Sequence, residues 1–552
     1  MVARAGCRRC ATCGLGAYLV CPLADWGSRF ELTVTLSRVR VRAFGGSVPG
    51  LLRVLWAALL ASAAAYIVLF GVTALVRLGY PFPLEVTEPA SLGEVRRILA
   101  GQPLYVAPTL DYVPMVYGPI YFYLSALVAT IAGATFAPLR LVSLLASLGS
   151  MALVFCLVQR ETCSRGAGLV AAGILAASNP FGETALDLGR VDALFMFLVL
   201  ASVYVARLGT LRIGGRARPY LLSASGALLG LAAFTKLPEA AAPIAVGVFI
   251  GIALIVRRAV IAFVLGACAS AGLVLLLLRL QADPLATWYV WDLPRQHELG
   301  RELLGRFWFS DVLPRFFVAL VLGPVFLLGR AAREDRRALQ FYTPALASII
   351  SVAWASRSGG GGSQNVLLPA FAVLAILLGV GLHETMRQFD GSSTRARTFQ
   401  AYLMGLCLIQ LALVVYDPRA VVPYGTDRVA DQKLAAAVSA LPGPVFAPDF
   451  GGYTTPAQGQ QQPIQGAIDE LFGGFGGRMT TEGMAWRADL NQALRQRRFR
   501  YVLLETHDCC LTDAVKASGY IDKGALIPES DDFYAWKAAR TPEAQLFVAP
   551  AN

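Results

Sequence analysis

Two glutamates lie directly after the first long apolar run of the chain. Residues 56–76, WAALLASAAAYIVLFGVTALV, are long enough to cross a bilayer, and Glu85 and Glu88 follow in EVTEPASLGEVRRILAGQPLY. A carboxylate at a membrane edge is costly unless it serves a pathway or a site, and burial raises its pKa toward neutrality. Such a group can act as a general base. The alternative interpretation is that both glutamates are solvated loop charges.

The composition indicates a protein built mostly inside a bilayer. Of 552 residues, 56% are hydrophobic and only 15% are charged, which excludes an ordinary soluble globular protein. The formal net charge is +12, but the arginines fall in short segments between apolar runs instead of forming a basic face. We therefore expect no nucleic-acid partner and interpret the charge as a topology signal.

Twelve apolar runs are candidate membrane spans. They lie near residues 54–76, 117–134, 139–158, 166–181, 192–206, 220–236, 240–256, 259–280, 312–330, 340–355, 366–382 and 399–416. Eight arginines within residues 1–53 place the N-terminus in the cytoplasm, so the glutamate loop is extracytoplasmic. If all twelve runs crossed, four arginine-rich loops would lie outside, against the positive-inside rule.

One change in the map corrects all four loops together. If residues 117–133, YGPIYFYLSALVATIAG, form a re-entrant or juxtamembrane helix, the arginine-rich loops move to the cytoplasm. The sequence thus predicts an all-α polytopic membrane protein with about eleven spans plus this helix. Twelve ordinary spans with poor charge statistics are the alternative.

The chain divides into three regions by composition. Residues 1–53 are a basic cytoplasmic segment, residues 54–416 a multi-span domain, and residues 417–552 a small extracytoplasmic α/β domain. In the last region we expect strands at 444–448, 499–505 and 533–538 and a helix around 482–497. At the N-terminus Cys7, Cys10, Cys13 and Cys21 lack the spacing of two separated Cys-x-x-Cys pairs, so a zinc site is the weaker interpretation.

The segment from Glu88 onward resembles the polytopic glycosyltransferases of the GT-C superfamily. It is most similar to the group containing protein O-mannosyltransferases, the lipid A aminoarabinose transferase and the Rhizobium core glycosyltransferases. In that group an acidic pair follows the first span, then a Gly-x-x-Leu-Tyr, then a Tyr-Pro-Pro element. Here Glu88, GQPLY (101–105) and Tyr117-Gly118-Pro119 take these places.

The resemblance implies a set of site residues and leaves one assignment open. Thr87 stands where the family usually has its aspartate, so either Glu85 or Glu88 is the candidate base. Asp192 takes the acidic place in the second outer loop, SNPFGETALDLGRVDALFMFLVLASVYVAR (178–207), with Arg190 beside it. A helix-capping role for Asp192 is the alternative.

Six residues are candidates for substrate binding. The resemblance implies a binding role for Tyr105 and Tyr117, and positive charge suits Arg190, Lys236 and Arg357 to a lipid phosphate. His297 lies in WYVWDLPRQHELGRE (288–302), whose tryptophans suit a sugar platform or equally an interfacial aromatic belt. The alternative to phosphate binding by Lys236 is a lysine that extends to the membrane edge and pairs with Glu239.

The resemblance, together with these residues, implies a membrane glycosyltransferase of the bacterial inner (plasma) membrane. It would transfer a sugar from a polyprenyl-phosphate carrier to a lipid, glycan or protein acceptor on the extracytoplasmic face, in one inverting displacement. Membrane lipids are the other expected partners. No cofactor is expected, with a divalent metal left open, and Asp192 would orient the acceptor or ligate that metal. A lipid or oligosaccharide transporter and a non-catalytic envelope-assembly protein are the rival hypotheses.

Overall fold

A computed structural model describes most of the chain beyond the N-terminal segment. The described residues are 48–211, 217–281, 283, 285–296, 300, 303–332, 336–359, 362–389, 393–454, 462–474, 478–505, 509–527 and 544–550. The predictions for His297 and for the four N-terminal cysteines fall outside these residues.

Fourteen helices in the described residues form the first and larger part of the fold. They are α1 (Val48–Leu78), α2 (Thr87–Leu99), α3 (Ile120–Ala132), α4 (Phe136–Thr162), α5 (Arg165–Ala177), α6 (Asp192–Thr210), α7 (Pro219–Ala233), α8 (Pro238–Val256), α9 (Val260–Leu280), α10 (Leu304–Arg306), α11 (Leu313–Ala332), α12 (Arg336–Ser358), α13 (Leu368–Gln388) and α14 (Thr394–Leu413). Nine helical segments of the described chain are long and apolar enough to cross a membrane. The prediction of a polytopic, mostly helical membrane protein is confirmed.

Helix α3 does not cross the bundle. Its 13 residues span about 20 Å, which is short of the roughly 30 Å hydrocarbon core. Gly118, just before α3, donates its backbone amide to the Lys236 carbonyl. Arg140, in the first turns of α4 just after α3, donates to Glu88 at the same end of the bundle. Helices α2 and α3 therefore both stay at this end of the bundle.

Helix α2 is amphipathic and lies beside this end of the bundle. Its buried residues Glu88, Ser91, Leu92 and Val95 recur at helical spacing, while Arg96 on the other face is exposed. Two of its buried residues, Glu88 and Glu94, are acidic, so this helix carries carboxylates into the protein interior.

The C-terminal region adds helices and one mixed sheet. Its elements are α15 (Gly425–Ser439), β1 (Val445–Phe446), α16 (Gln465–Leu471), α17 (Thr481–Arg495), β2 (Tyr501–Glu505), α18 (Cys509–Ala517), β3 (Ile521–Ala525) and β4 (Ala544–Val548). The strand order is β1-β2-β4-β3, with β1 parallel to β2 and the other pairs antiparallel. The expected α/β character is confirmed, and the strand expected at 533–538 lies outside the described residues. We call residues 417–550 the outer domain.

Candidate active site

Two polar loops meet where the outer domain covers the bundle. Glu85 comes from the loop between α1 and α2, Arg190 comes from the loop that leads into α6, and Asp192 is the first residue of α6. Arg190 Nη1 lies 2.9 Å from Glu85 Oε1, and Arg190 Nε lies 3.1 Å from Asp192 Oδ2. One buried guanidinium therefore holds two carboxylates that are more than a hundred residues apart in sequence.

The Asp192 carboxylate binds a second cation on its other oxygen. Lys236 Nζ, from the turn between α7 and α8, lies 2.6 Å from Asp192 Oδ1, and Asn365 Nδ2 donates to the same oxygen at 2.9 Å. The neighbouring turn residue Gln364 donates its amide to Glu183 at 3.0 Å, and Glu183 lies 3.8 Å from Arg190. We call Glu85, Glu183, Arg190, Asp192 and Lys236 the charged cluster.

The charged cluster has one excess negative charge. Three carboxylates and two cations leave a net charge of −1 when every group is ionised. Glu183 and its neighbour Thr184 both have left-handed backbone angles, φ of 57° and 54°, which non-glycine residues seldom adopt. Backbone strain at this point accompanies the meeting of like charges, as is common at functional sites.

Glu88 lies in a different environment from Glu85. Arg140 donates to Glu88 Oε1 at 2.9 Å and to Glu88 Oε2 at 2.6 Å. The amides of Leu84 and Gly189 each donate at 2.8 Å, one to each carboxylate oxygen. Four donors fill the acceptor positions of this carboxylate, which is fully buried. Glu88 thus joins helix α4 to both loops of the site.

The two glutamates differ in how readily they accept a proton. Burial acts to raise the pKa of the Glu88 carboxyl, but the Arg140 charge and the surrounding hydrogen bonds hold that pKa below its ordinary value. Burial raises the pKa of the Glu85 carboxyl, with Arg190 and the Thr87 hydrogen bonds acting against the rise. In the described residues Glu85 Oε1 accepts one hydrogen bond, from Arg190, so it keeps acceptor capacity.

Tyr117 and Tyr105 support the cluster from the side of helix α3. The Tyr117 side chain is close enough to Arg190, Asp192 and Glu85 to interact with their charges. Its carbonyl accepts a hydrogen bond of 2.6 Å from the Tyr105 hydroxyl, and Tyr105 is itself buried. Tyr105 therefore holds the backbone of Tyr117 instead of lining the cluster.

Gly118 explains why this chain departs from a Tyr-Pro-Pro element. The Gly118 amide donates to the Lys236 carbonyl at 3.0 Å, a contact that a proline at this position lacks the N–H to make. A Cβ at Gly118 would lie 2.1 Å from the Phe234 carbonyl oxygen. Glycine is thus required where the two backbones meet, and this contact fixes the turn that carries Lys236.

Arg357 is occupied by a partner outside the charged cluster. Its Nε lies 2.7 Å from Asp311 Oδ2, and its guanidinium also donates to the carbonyl of Gly362. Gly362 immediately precedes the turn that supplies Asn365, so Arg357 supports that turn. Within the part of the chain that the structure describes, no group of three or more His, Cys, Asp or Glu side chains is placed to hold a metal ion.

Three residues of the site were not singled out from the sequence. Arg140 is a lone charge near the start of an apolar run, and such isolated charges in a span are a signal that sequence analysis can use. Glu183 and Asn365 are polar residues in loops that sequence analysis had placed outside, but their contacts depend on the packing of α5, α6 and α13.

Part of the chain matches a known family. Residues 114–280 match the profile of the dolichyl-phosphate-mannose-protein mannosyltransferase family. No curated protein sequence gives a significant match. The matched segment contains Arg140, Arg190, Asp192 and Lys236, and it ends before the outer domain.

The fold is similar to solved structures of two other proteins. ArnT from Cupriavidus metallidurans matches in its apo state with a TM-score of 0.54 and 14% identity, over 89% of this chain and 100% of that one. The same protein bound to undecaprenyl phosphate matches with a TM-score of 0.53 and 13% identity, over 88% and 99% of the two chains. The Archaeoglobus fulgidus oligosaccharyltransferase in its apo form matches with a TM-score of 0.50 and 13% identity, over 80% of this chain and 69% of that one.

The family match covers the central part of the chain, and the fold similarity covers most of it. The chain is a multi-pass integral membrane protein with an ArnT-like fold, and its residues 114–280 match the profile of the dolichyl-phosphate-mannose-protein mannosyltransferase family.

Proposed function

We propose that this enzyme transfers a sugar from a polyprenyl-phosphate carrier to an acceptor hydroxyl at the charged cluster. The observation that carries the proposal is the arrangement around Arg190, which pairs with the buried Glu85 carboxylate and also with Asp192, the carboxylate that binds Lys236. The ArnT structure that binds undecaprenyl phosphate supports a lipid phosphate as the donor group. The acceptor class, whether lipid, glycan or protein, is left to experiment.

Glu85 acts as the general base in this proposal. Its carboxylate takes the proton from the acceptor hydroxyl as that oxygen attacks the anomeric carbon of the sugar. The bond from that carbon to the phosphate oxygen breaks, and the lipid phosphate leaves with the negative charge. Lys236 and Arg190 stabilise this charge, because both cations lie at the same carboxylate and so present positive charge to one place.

Asp192 has a positioning role and Glu88 a structural one. Asp192 accepts hydrogen bonds on both oxygens, from Lys236, Asn365 and Arg190, so it holds the two cations in place. Arg140 and two backbone amides occupy the acceptor positions of the Glu88 carboxylate. With both of these carboxylates engaged, a covalent sugar intermediate on either is disfavoured, which supports a single displacement with inversion.

The loops of the site are assigned to the extracytoplasmic face. This assignment rests on the arginine distribution in the sequence, and it places the charged cluster and the outer domain on the side where polyprenyl-phosphate sugars of a bacterial inner membrane are consumed. The outer domain covers the acidic loop, so it is placed to contact the acceptor as it enters.

Transfer of labelled sugar from a panel of polyprenyl-phosphate sugars tests the proposal directly. Membranes containing the enzyme are expected to transfer sugar from one of the carriers, and the transfer should require the lipid phosphate of that carrier. The Asp192→Asn variant at equal abundance is expected to transfer sugar more slowly. Asp111→Asn, at an exposed position, is the matched control. Failure of every carrier, together with carrier flux across vesicles, would instead indicate a transporter.

The pH dependence of transfer follows from the state of Glu85. A base must be ionised, and burial raises the pKa of Glu85, so kcat/KM is expected to fall with decreasing pH through a value above about 4.3, the ordinary glutamate pKa. Two other buried acids also have raised pKa values and could affect the same pH range: burial raises the pKa of Glu94 to about 7 and that of Asp431 to about 6. The acid limb should therefore persist in Glu94→Gln and Asp431→Asn. Its disappearance in either variant would assign the limb to that residue.

A further inference from the structure

The outer domain contacts the acidic loop through a buried aspartate. Asp431 on α15 is fully buried and accepts hydrogen bonds from two tyrosine hydroxyls. Tyr453 of the outer domain donates to Asp431 Oδ1 at 2.7 Å, and Tyr80 of the loop between α1 and α2 donates to Asp431 Oδ2. Tyr80 lies five residues before Glu85 on the same loop. Asp431 thus joins the outer domain to the segment that carries the proposed base.

Apolar contacts extend this junction toward Glu85. The rings of Phe82 and Tyr453 stack with centroids 5.9 Å apart and an interplanar angle of 17°. A Cβ on Gly452 would lie 2.6 Å from Pro83 Cγ, so the outer domain touches the loop without space for a side chain. The contacts follow the loop from Tyr80 to Pro83.

The loop is held on its opposite side by the bundle. Arg140 donates to the carbonyls of Tyr80 at 2.5 Å and Phe82 at 2.8 Å, while Asp431 and Tyr453 contact the side chains of the same two residues. Pro81 and Pro83 have no amide N–H, so this stretch makes few backbone hydrogen bonds of its own. The position of Glu85 therefore depends on contacts from both sides.

We infer that Asp431 is a positioning residue for transfer, and that the outer domain places Glu85 for proton abstraction by holding Tyr80 and Tyr453 through this one carboxylate. The inference rests on the proposed role of Glu85. It assigns to the outer domain a part in catalysis in addition to any contact with the acceptor.

Two substitutions at Asp431 separate positioning from general stability. Asp431→Ala removes both acceptors and is expected to lower kcat about tenfold, with the KM for the lipid donor little changed, because a displaced base affects the chemical step more than donor binding. Asp431→Asn keeps one acceptor and adds a donor for the other hydroxyl, so its kcat should stay within about threefold of the wild-type value. Arg498→Ala is the control, since Arg498 joins the outer domain to Asp111 away from the acidic loop.

Hydrogen exchange provides a readout that does not depend on transfer. The amides of Leu84 and Thr87 donate to the side chains of Glu88 and Glu85. Their exchange should accelerate in Asp431→Ala and remain slow in Asp431→Asn and Arg498→Ala. If Asp431→Ala had the same exchange rates and the same kcat as the wild type, the inference would be overturned. The inference would also be overturned if amide exchange accelerated throughout the outer domain in Asp431→Ala and Asp431→Asn did not restore it. If exchange changes as expected but the wild type transfers no sugar, the proposed function fails instead.

Discussion

Replacing Glu85 with glutamine is expected to lower kcat for sugar transfer about 10²–10⁴-fold, the range that a general base contributes. Glutamine has nearly the shape of glutamate and keeps one oxygen that can accept from Arg190, but it loses the second oxygen, which accepts from the Thr87 amide, and it cannot take a proton from the acceptor. Folding and donor binding should change little, because Arg190 keeps its ion pair with Asp192. Initial rates at saturating donor, with the variants at equal abundance in membranes, measure this effect.

The comparison with Glu88 makes this prediction specific. Glu88→Gln should lower the amount and thermal stability of the folded protein, because Arg140 then lies buried beside a neutral group. Per folded molecule, its kcat should fall much less than in Glu85→Gln. If Glu88→Gln were folded and inactive while Glu85→Gln retained transfer, the base would be Glu88 and the contacts of Arg140 would have to open during the reaction.

The sequence predicted which loops carry the site but not how they pair. Acidic residues at span ends and the charge parity of the loops placed Glu85, Asp192 and Lys236 at one membrane face, and the structure brings them together around Arg190. The choice between Glu85 and Glu88 depends on Arg140, which pairs with Glu88 although the two residues are 52 positions apart in the sequence. A distant contact of that kind leaves no local pattern in the sequence.

The outer domain shows the same limit for secondary structure. Strand β2 and helix α17 were expected at 499–505 and 482–497 because they have clear apolar periodicity, and they form at Tyr501–Glu505 and Thr481–Arg495. Strand β3, Ile521–Ala525, was not expected. Every residue in it is exposed and its sequence, IDKGA, has no apolar alternation. It is an edge strand whose formation depends on pairing with β4.

Removing Arg140 is expected to have the largest effect on stability. All five N–H positions of its guanidinium point to acceptors: the two carboxylate oxygens of Glu88 and the carbonyls of Arg77, Tyr80 and Phe82. Arg140→Met leaves the buried Glu88 carboxylate without its cation, which typically costs about 3–5 kcal/mol. Arg140→Lys should recover only part of this, because an ammonium has three donors and no planar fork.

The double variant Arg140→Met/Glu88→Met distinguishes a simple ion pair from the wider role proposed for Arg140. An isolated buried pair is often replaced by apolar residues without loss, yet here the loop carbonyls of Tyr80 and Phe82 and the amides of Leu84 and Gly189 would lose their partners. The double variant should therefore stay destabilised in thermal unfolding in detergent, and Arg498→Met, at an exposed ion pair, should change stability by less than about 1 kcal/mol. Full recovery in the double variant would show that the loop between α1 and α2 keeps its shape without Arg140, and that the pair contributes charge compensation alone.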